Sequence, residues 1–253
     1  MEAVANACSW LVGPRRPGRP NLRLFCLPYA GGGAAIYRQW PAEFPAKVEV
    51  RAVQLPGREQ RFAEPPLTET MHAAATLAAA LVPYLEEPFA FFVHSMGAAI
   101  AYETARAIAQ RHGRTAVCLM ASGRRAPHLP ARRRPVHQLS DERFLEELRR
   151  LDGTPPGVLE NEELMQLMLP TLRGDFQLAE TYQAPGPVAL TCPVIAFGGT
   201  HDPDVSRSDL EAWRQISNGD FRLHMLEGGH FFVNPERRRL IGLVLSELSR
   251  WTG

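Results

Sequence analysis

The feature that most constrains this chain is an apolar strand that runs almost directly into a helix. Phe89-Ala-Phe-Phe-Val93 is wholly apolar and of strand length, and Met96–Arg111 follows at once as a helical pattern that Gly113 can stop. A strand without polar alternation needs cover on both faces, and a helix starting at its end must fold back over the sheet. The pairing recurs along the chain. Leu22–Leu27, ended by Pro28, and Val48–Gln54, ended by Pro56-Gly57, read as strands, as do Ala116–Ala121, Val194–Phe197 and Phe221–Leu226. Helices are expected over Thr68–Glu87, disturbed at Pro83, and at about 206–216 and 236–251. This alternation predicts an α/β fold with a mostly parallel sheet flanked by helices.

Residues 124–187 break the rhythm. They open with Arg124, Arg125, Arg132, Arg133 and Arg134 among prolines, and continue as helical stretches near 141–151, 160–169 and 171–183. With no strand candidate in about 60 residues, the segment reads as a helical insertion between two strands, without a core of its own. A chain of 253 residues can bury about three quarters of its extended surface in one core. The expectation is therefore a single domain over 1–253 with a lid-like insertion at about 124–187.

Charge and cysteine usage narrow the partners. Lys+Arg 28 against Asp+Glu 27 leaves a formal charge of +1, which argues against a dedicated nucleic-acid binder. All the basic residues but Lys47 are arginine, which codon usage explains without a functional cause. No run approaches the roughly 18 apolar residues of a membrane-spanning helix. Cys8, Cys26, Cys118 and Cys192 show neither CxxC pairing nor zinc-ligand spacing, and three of them lie in apolar runs. Near the N-terminus, Arg15 and Arg16 follow the short apolar run at Trp10–Val12 and do not precede it, unlike a secretory signal. A cytoplasmic monomer with no membrane segment, no metal and no cofactor is expected.

The chemistry is expected where the strand meets the helix. Ser95 sits at that join, as in a nucleophile elbow, where a sharp turn presents the hydroxyl at the sheet's carboxyl edge. The helix N-terminus behind it favours a developing anion. Of the pattern G-x-S-x-G, Gly97 is present and the first glycine is replaced by Val93. The blander alternative for Ser95 is a helix N-cap. A serine hydroxyl needs a base, and the base needs an orienting group. His230 lies in a glycine-bounded loop after the last strand, and Asp202 follows the strand Val194–Phe197. The order Ser95, Asp202, His230 is that of α/β-hydrolases. Asp204 rivals Asp202 as the acid, and His201 competes weakly as the base. The Met96 N–H should supply one oxyanion donor. The second is expected from Pro28-Tyr29-Ala30-Gly31-Gly32-Gly33, with Ala30 preferred and Gly31 next. That loop lacks the Gly-Lys-Ser/Thr of a phosphate loop.

Several segments together carry a resemblance. Leu24–Gly33, Gln54-Leu-Pro-Gly-Arg-Glu-Gln-Arg61, His94-Ser-Met-Gly97, Leu169–Phe176 with Tyr182, and Gly228-Gly-His-Phe231 resemble the type II thioesterases, the stand-alone editing hydrolases of polyketide and nonribosomal peptide synthesis. The likeness covers roughly residues 10 to 250. It implies an α/β-hydrolase fold with a mobile helical lid. The implied substrates are acyl or aminoacyl thioesters on the phosphopantetheine arm of acyl carrier or peptidyl carrier proteins. The arginines at 124–134 are candidates for steering such acidic carriers. Arg58 and Arg61 belong to the resembling segment, with no role beyond a salt-bridged turn. Val93 departs from the family's glycine, and Val93→Gly is expected to keep or raise turnover. Competing readings are a generic carboxylesterase or acyltransferase, a product-releasing thioesterase, and a degenerate hydrolase that only binds a synthase. A product-releasing enzyme would normally follow a carrier domain, and this chain opens at Met1 without one.

Overall fold

The computed structural model describes residues 10–15, 18–151, 153 and 156–252. Cys8, Arg16 and the N-terminal residues ahead of Trp10 lie outside them. Seven strands form one sheet: β1 (Leu11–Val12), β2 (Leu22–Leu27), β3 (Val48–Val53), β4 (Phe89–His94), β5 (Leu119–Ser122), β6 (Val194–Gly199) and β7 (Phe221–Leu226). Their order is β1-β3-β2-β4-β5-β6-β7. Among the described residues only the β1–β3 pair is antiparallel. The helices are α1 (Trp40–Glu43), α2 (Thr70–Leu81), α3 (Met96–His112), α4 (Asp141–Leu151), α5 (Pro156–Leu159), α6 (Glu162–Thr181), α7 (Arg207–Glu211) and α8 (Arg237–Thr252).

The wholly apolar strands are explained by cover on both faces. Phe25 and Leu27 of β2 and Phe89, Phe91 and Val93 of β4 pack on one side with Leu77 of α2, Ile100 of α3 and Trp213. Leu22, Leu24 and Cys26, with Ala90 and Phe92, face the other side with Trp40, Leu240 and Val244. The period of two thus sends alternate apolar residues into two cores. Cys26, Cys118 and Cys192 are free and buried among them.

β1 has no expectation behind it. Two residues cannot show a period, and the strand is held by pairing with Val53 and Ala52. Pro83 ends α2 as expected, in a 3-10 turn over Val82–Tyr84. The expected break between stretches 160–169 and 171–183 does not occur, since α6 runs unbroken through Pro170. Proline forfeits one helical hydrogen bond, but Met165 before it and Leu172 and Leu178 after it are all buried, so packing holds both halves.

The segment between β5 and β6 contains α4, α5 and α6. Contrary to expectation it carries a small apolar cluster of its own, with Phe144, Leu148, Leu159, Met165 and Leu172 buried together. Leu178, near the end of α6, belongs instead to the main core. Among the described residues no helix is long and apolar enough to cross a membrane.

Candidate active site

Ser95 occupies the single residue between β4 and α3, with φ 52 and ψ −116. A positive φ is unusual for a non-glycine residue and marks a turn held by its surroundings. Here the Ser95 N–H donates to Ser122 O at 2.8 Å, tying the turn to the neighbouring strand. The close approach of strand and helix falls on Gly97. A Cβ there would stand 2.9 Å from Leu27 Cβ and from the Leu27 and Pro28 carbonyl oxygens. Val93, which stands where the pattern has its first glycine, is fully buried in the sheet core with Phe91 and Ala121, and the elbow still forms.

Ser95, Asp202 and His230 come together as their order implied. His230 Nε2 lies 3.0 Å from Ser95 Oγ, and His230 Nδ1 lies 2.7 Å from Asp202 Oδ2. The Asp202 side chain is fully buried, and its Oδ1 accepts the N–H groups of Asp204 at 2.9 Å and Val205 at 3.1 Å. Four lone-pair directions are thereby largely occupied, and the carboxylate can hold a proton on Nδ1 and leave Nε2 to face the hydroxyl. The Asp204 carboxylate instead pairs with Arg133. His201 is exposed and sits 3.1 Å from Glu227, on different partners from Ser95.

His94, adjacent to Ser95, turns away from it and into the core. Its Nδ1 lies 2.9 Å from Ser122 Oγ, and its ring is centred 5.3 Å from that of His230. Burial, followed by the neighbouring His230, holds His94 well below the usual imidazole range, so it is a neutral wall behind the base. Tyr29 and Phe231, with ring centres 4.9 Å apart, complete that wall. Neither was expected from the sequence, although Phe231 stands beside His230 in its loop.

The loop after β2 closes as a turn, with the Gly32 N–H donating to Tyr29 O at 2.9 Å and Gly31 at φ +77. Ala30, Met96 and Ser95 line one cavity. The Gly31 N–H donates to Asp175 Oδ2 at 2.7 Å and is thereby engaged within the molecule. The cavity, about 380 Å³, has walls from Ala126, Leu129, Val136, Leu148, Leu172 and Phe176, and a rim of Arg132, Arg133, Arg134 and Arg150.

Most of the arginines at 124–134 are committed within the molecule. Arg124, half-buried, donates to Ala179 O at 2.7 Å, and desolvation, then Arg125, lowers its pKa. Arg125 and Arg132 both bind the Asp209 carboxylate, at 2.9 and 2.8 Å. Burial alone would raise the Asp209 pKa, but the Ser206 hydroxyl and amide and then Arg125 more than offset it, and the net shift is downward. Arg133 holds Asp204. Among the described residues Arg134 has no ion pair. The expected steering cluster is therefore largely a brace joining the insertion to α7. Arg58 and Arg61, given only a turn by the sequence, are buried as well; Arg61 binds Glu64 and stacks on Trp10.

A mostly parallel sheet that presents Ser, Asp and His after β4, β6 and β7, in that chain order, defines an α/β-hydrolase. The Thioesterase domain family matches residues 22–248, and the chain belongs to the thioesterases. It is 43% identical over 245 residues to linear gramicidin dehydrogenase LgrE of Brevibacillus parabrevis, covering 96% of this chain and 93% of that protein. It is 41% identical over 248 residues to gramicidin S biosynthesis protein GrsT of Aneurinibacillus migulanus, covering 98% and 97%. The solved structure of the type II thioesterase BorB from the borrelidin biosynthetic cluster superposes with a TM-score of 0.85 at 39% identity, covering 95% of this chain and 98% of that one.

Proposed function

We propose that the protein is a type II thioesterase that hydrolyses acyl or aminoacyl groups from the phosphopantetheine arm of acyl carrier or peptidyl carrier proteins. In this role it clears misprimed or stalled polyketide or nonribosomal peptide synthases in the cytoplasm. The observation that carries the reading is the Asp202–His230–Ser95 chain of 2.7 and 3.0 Å contacts beside an apolar-walled cavity, in a chain of the thioesterase family.

The reaction follows from that geometry. His230 Nε2 takes the Ser95 proton as Oγ attacks the thioester carbonyl. The Met96 and Ala30 N–H groups receive the oxyanion, and Asp202 stabilises the imidazolium. Collapse breaks the C–S bond, and His230 returns its proton to the departing thiolate. A water then gives a proton to His230, attacks the acyl-serine, and releases the acid with Ser95 reprotonated. These steps use this chain's side chains and amides, the thioester and one water. Charge on the cavity rim supports approach of an acidic carrier, and after the internal pairing above that role falls chiefly to Arg134.

The test is a hydrolysis panel of acyl groups on carrier protein, on free pantetheine and as simple oxygen esters, run with the wild type and Ser95→Ala. Thioesters should turn over fastest, and Ser95→Ala should lose at least ~10³-fold in kcat. Near-wild-type hydrolysis by Ser95→Ala would end the nucleophile assignment, and a preference for oxygen esters would end the substrate assignment.

A further inference from the structure

Among the buried polar clusters that the reaction steps do not use, one lies against the loop after β2. Asp175, on α6, is 1% exposed and receives both arms of the Arg58 guanidinium at 2.7 Å. The same carboxylate accepts the Gly31 N–H at 2.7 Å, and Arg58 Nη1 also donates to Gly32 O at 3.0 Å. One turn earlier on α6, the Thr171 hydroxyl donates to Gly57 O at 2.7 Å, and Leu172 lies over Gly31. One face of α6 is thus fastened to the loops after β2 and β3.

These contacts bear on the oxyanion. In the Tyr29–Gly32 turn the central peptide joins Ala30 to Gly31, and a turn with φ > 0 at its third residue competes with one in which that peptide is flipped. The bond from Gly31 N–H to Asp175 selects one orientation, and Arg58 holds the Gly32 carbonyl at the end of the turn. The glycines at 31–33 add no stiffness of their own. The peptide whose N–H belongs to Ala30 immediately precedes the pinned one.

We propose that Arg58 and Asp175 are positioning residues for the oxyanion. They hold the Tyr29–Gly32 turn so that the Ala30 N–H meets the substrate carbonyl, and they make that alignment depend on the seating of α6. The inference rests on the nucleophile and donor assignments of the preceding section. A bidentate guanidinium–carboxylate pair suits the task because it fixes orientation as well as distance.

The experiment measures turnover of an acyl-pantetheine thioester by Asp175→Asn, Arg58→Met and the double variant Arg58→Met/Asp175→Leu. It also measures the affinity of two analogues. A trifluoromethyl ketone forms an oxyanion-bearing adduct with Ser95, and a thioether has a methylene in place of the carbonyl. The single variants should lose about 10- to 100-fold in kcat, as expected for a small misplacement of a catalytic donor, with KM nearly unchanged. Ketone affinity should fall with kcat while thioether affinity holds. The double variant leaves no unpaired buried charge and should regain melting temperature without regaining kcat. Unchanged kcat in Asp175→Asn, equal loss of both analogues, or kcat that recovers with melting temperature would each overturn the proposal. Ser95→Ala runs alongside on the same substrate. If it stays active, the underlying nucleophile assignment fails, separately from the positioning role.

Discussion

The sheet and the insertion contribute to one cavity but are held together differently. Ser95, Asp202 and His230 stand after β4, β6 and β7, of which β4 and β6 are buried on both faces and β7, at the sheet edge, is half-buried. The insertion depends on a small cluster around Phe144 and on polar ties: Arg58 to Asp175, and Arg125 and Arg132 to Asp209. Dense two-sided packing suits groups that must keep a fixed geometry through the reaction. A small cluster anchored by directional contacts suits walls that shape a pocket and admit variation. Local stability is drawn unevenly across a fold, and the insertion is the less buttressed part.

Substitutions can break that contrast, starting with the largest effect. Asp202→Asn removes the charge that orients His230 and should cost about 10⁴-fold in kcat, by analogy with other triads, while melting temperature changes little. A loss confined to KM would show that Asp202 is not the orienting acid. Phe144→Ala empties the centre of the insertion's cluster, where Phe144 meets Phe176 edge-on at 5.3 Å and carries the Arg173 guanidinium at 4.6 Å. It should cost about 3 kcal/mol locally. The readout is loss of hydrogen-exchange protection confined to α4–α6. An equal loss across β2, β4 and β6 would mean that sheet and insertion unfold as one unit.

Val93→Gly probes the sheet side of the comparison. The side chain is fully buried, so its removal should cost about 2 kcal/mol of stability while turnover is kept or raised. A large fall in kcat with the fold intact would show that valine is adapted to this elbow. The smallest effect is expected at the cavity rim. Arg134→Glu should raise KM for carrier-bound substrate only a few-fold, vanish at high salt, and spare free acyl-pantetheine. Equal effects on both substrates would remove the carrier-steering role. Charge reversal at Arg132 or Arg133 cannot give this answer cleanly, since each would set a new carboxylate beside Asp209 or Asp204.

The sheet apart from β1, and the chain order of Ser95, Asp202 and His230, were legible in the sequence. Wholly apolar strands beside helical patterns leave few alternatives to a parallel sheet, and loops at strand ends place Ser95, Asp202 and His230 on one edge. The tertiary structure decided what depends on contacts between distant segments. It set Asp202 against His230 and Asp204 against Arg133, and it gave the Gly31 N–H to Asp175. It turned an exposed-looking arginine run into a brace on Asp209, and carried α6 through Pro170. It also gave Arg58 a partner 117 residues away. Periodicity reports which face of an element is apolar, because that is a local property. Which polar group satisfies which buried charge is settled only when the chain has closed around both.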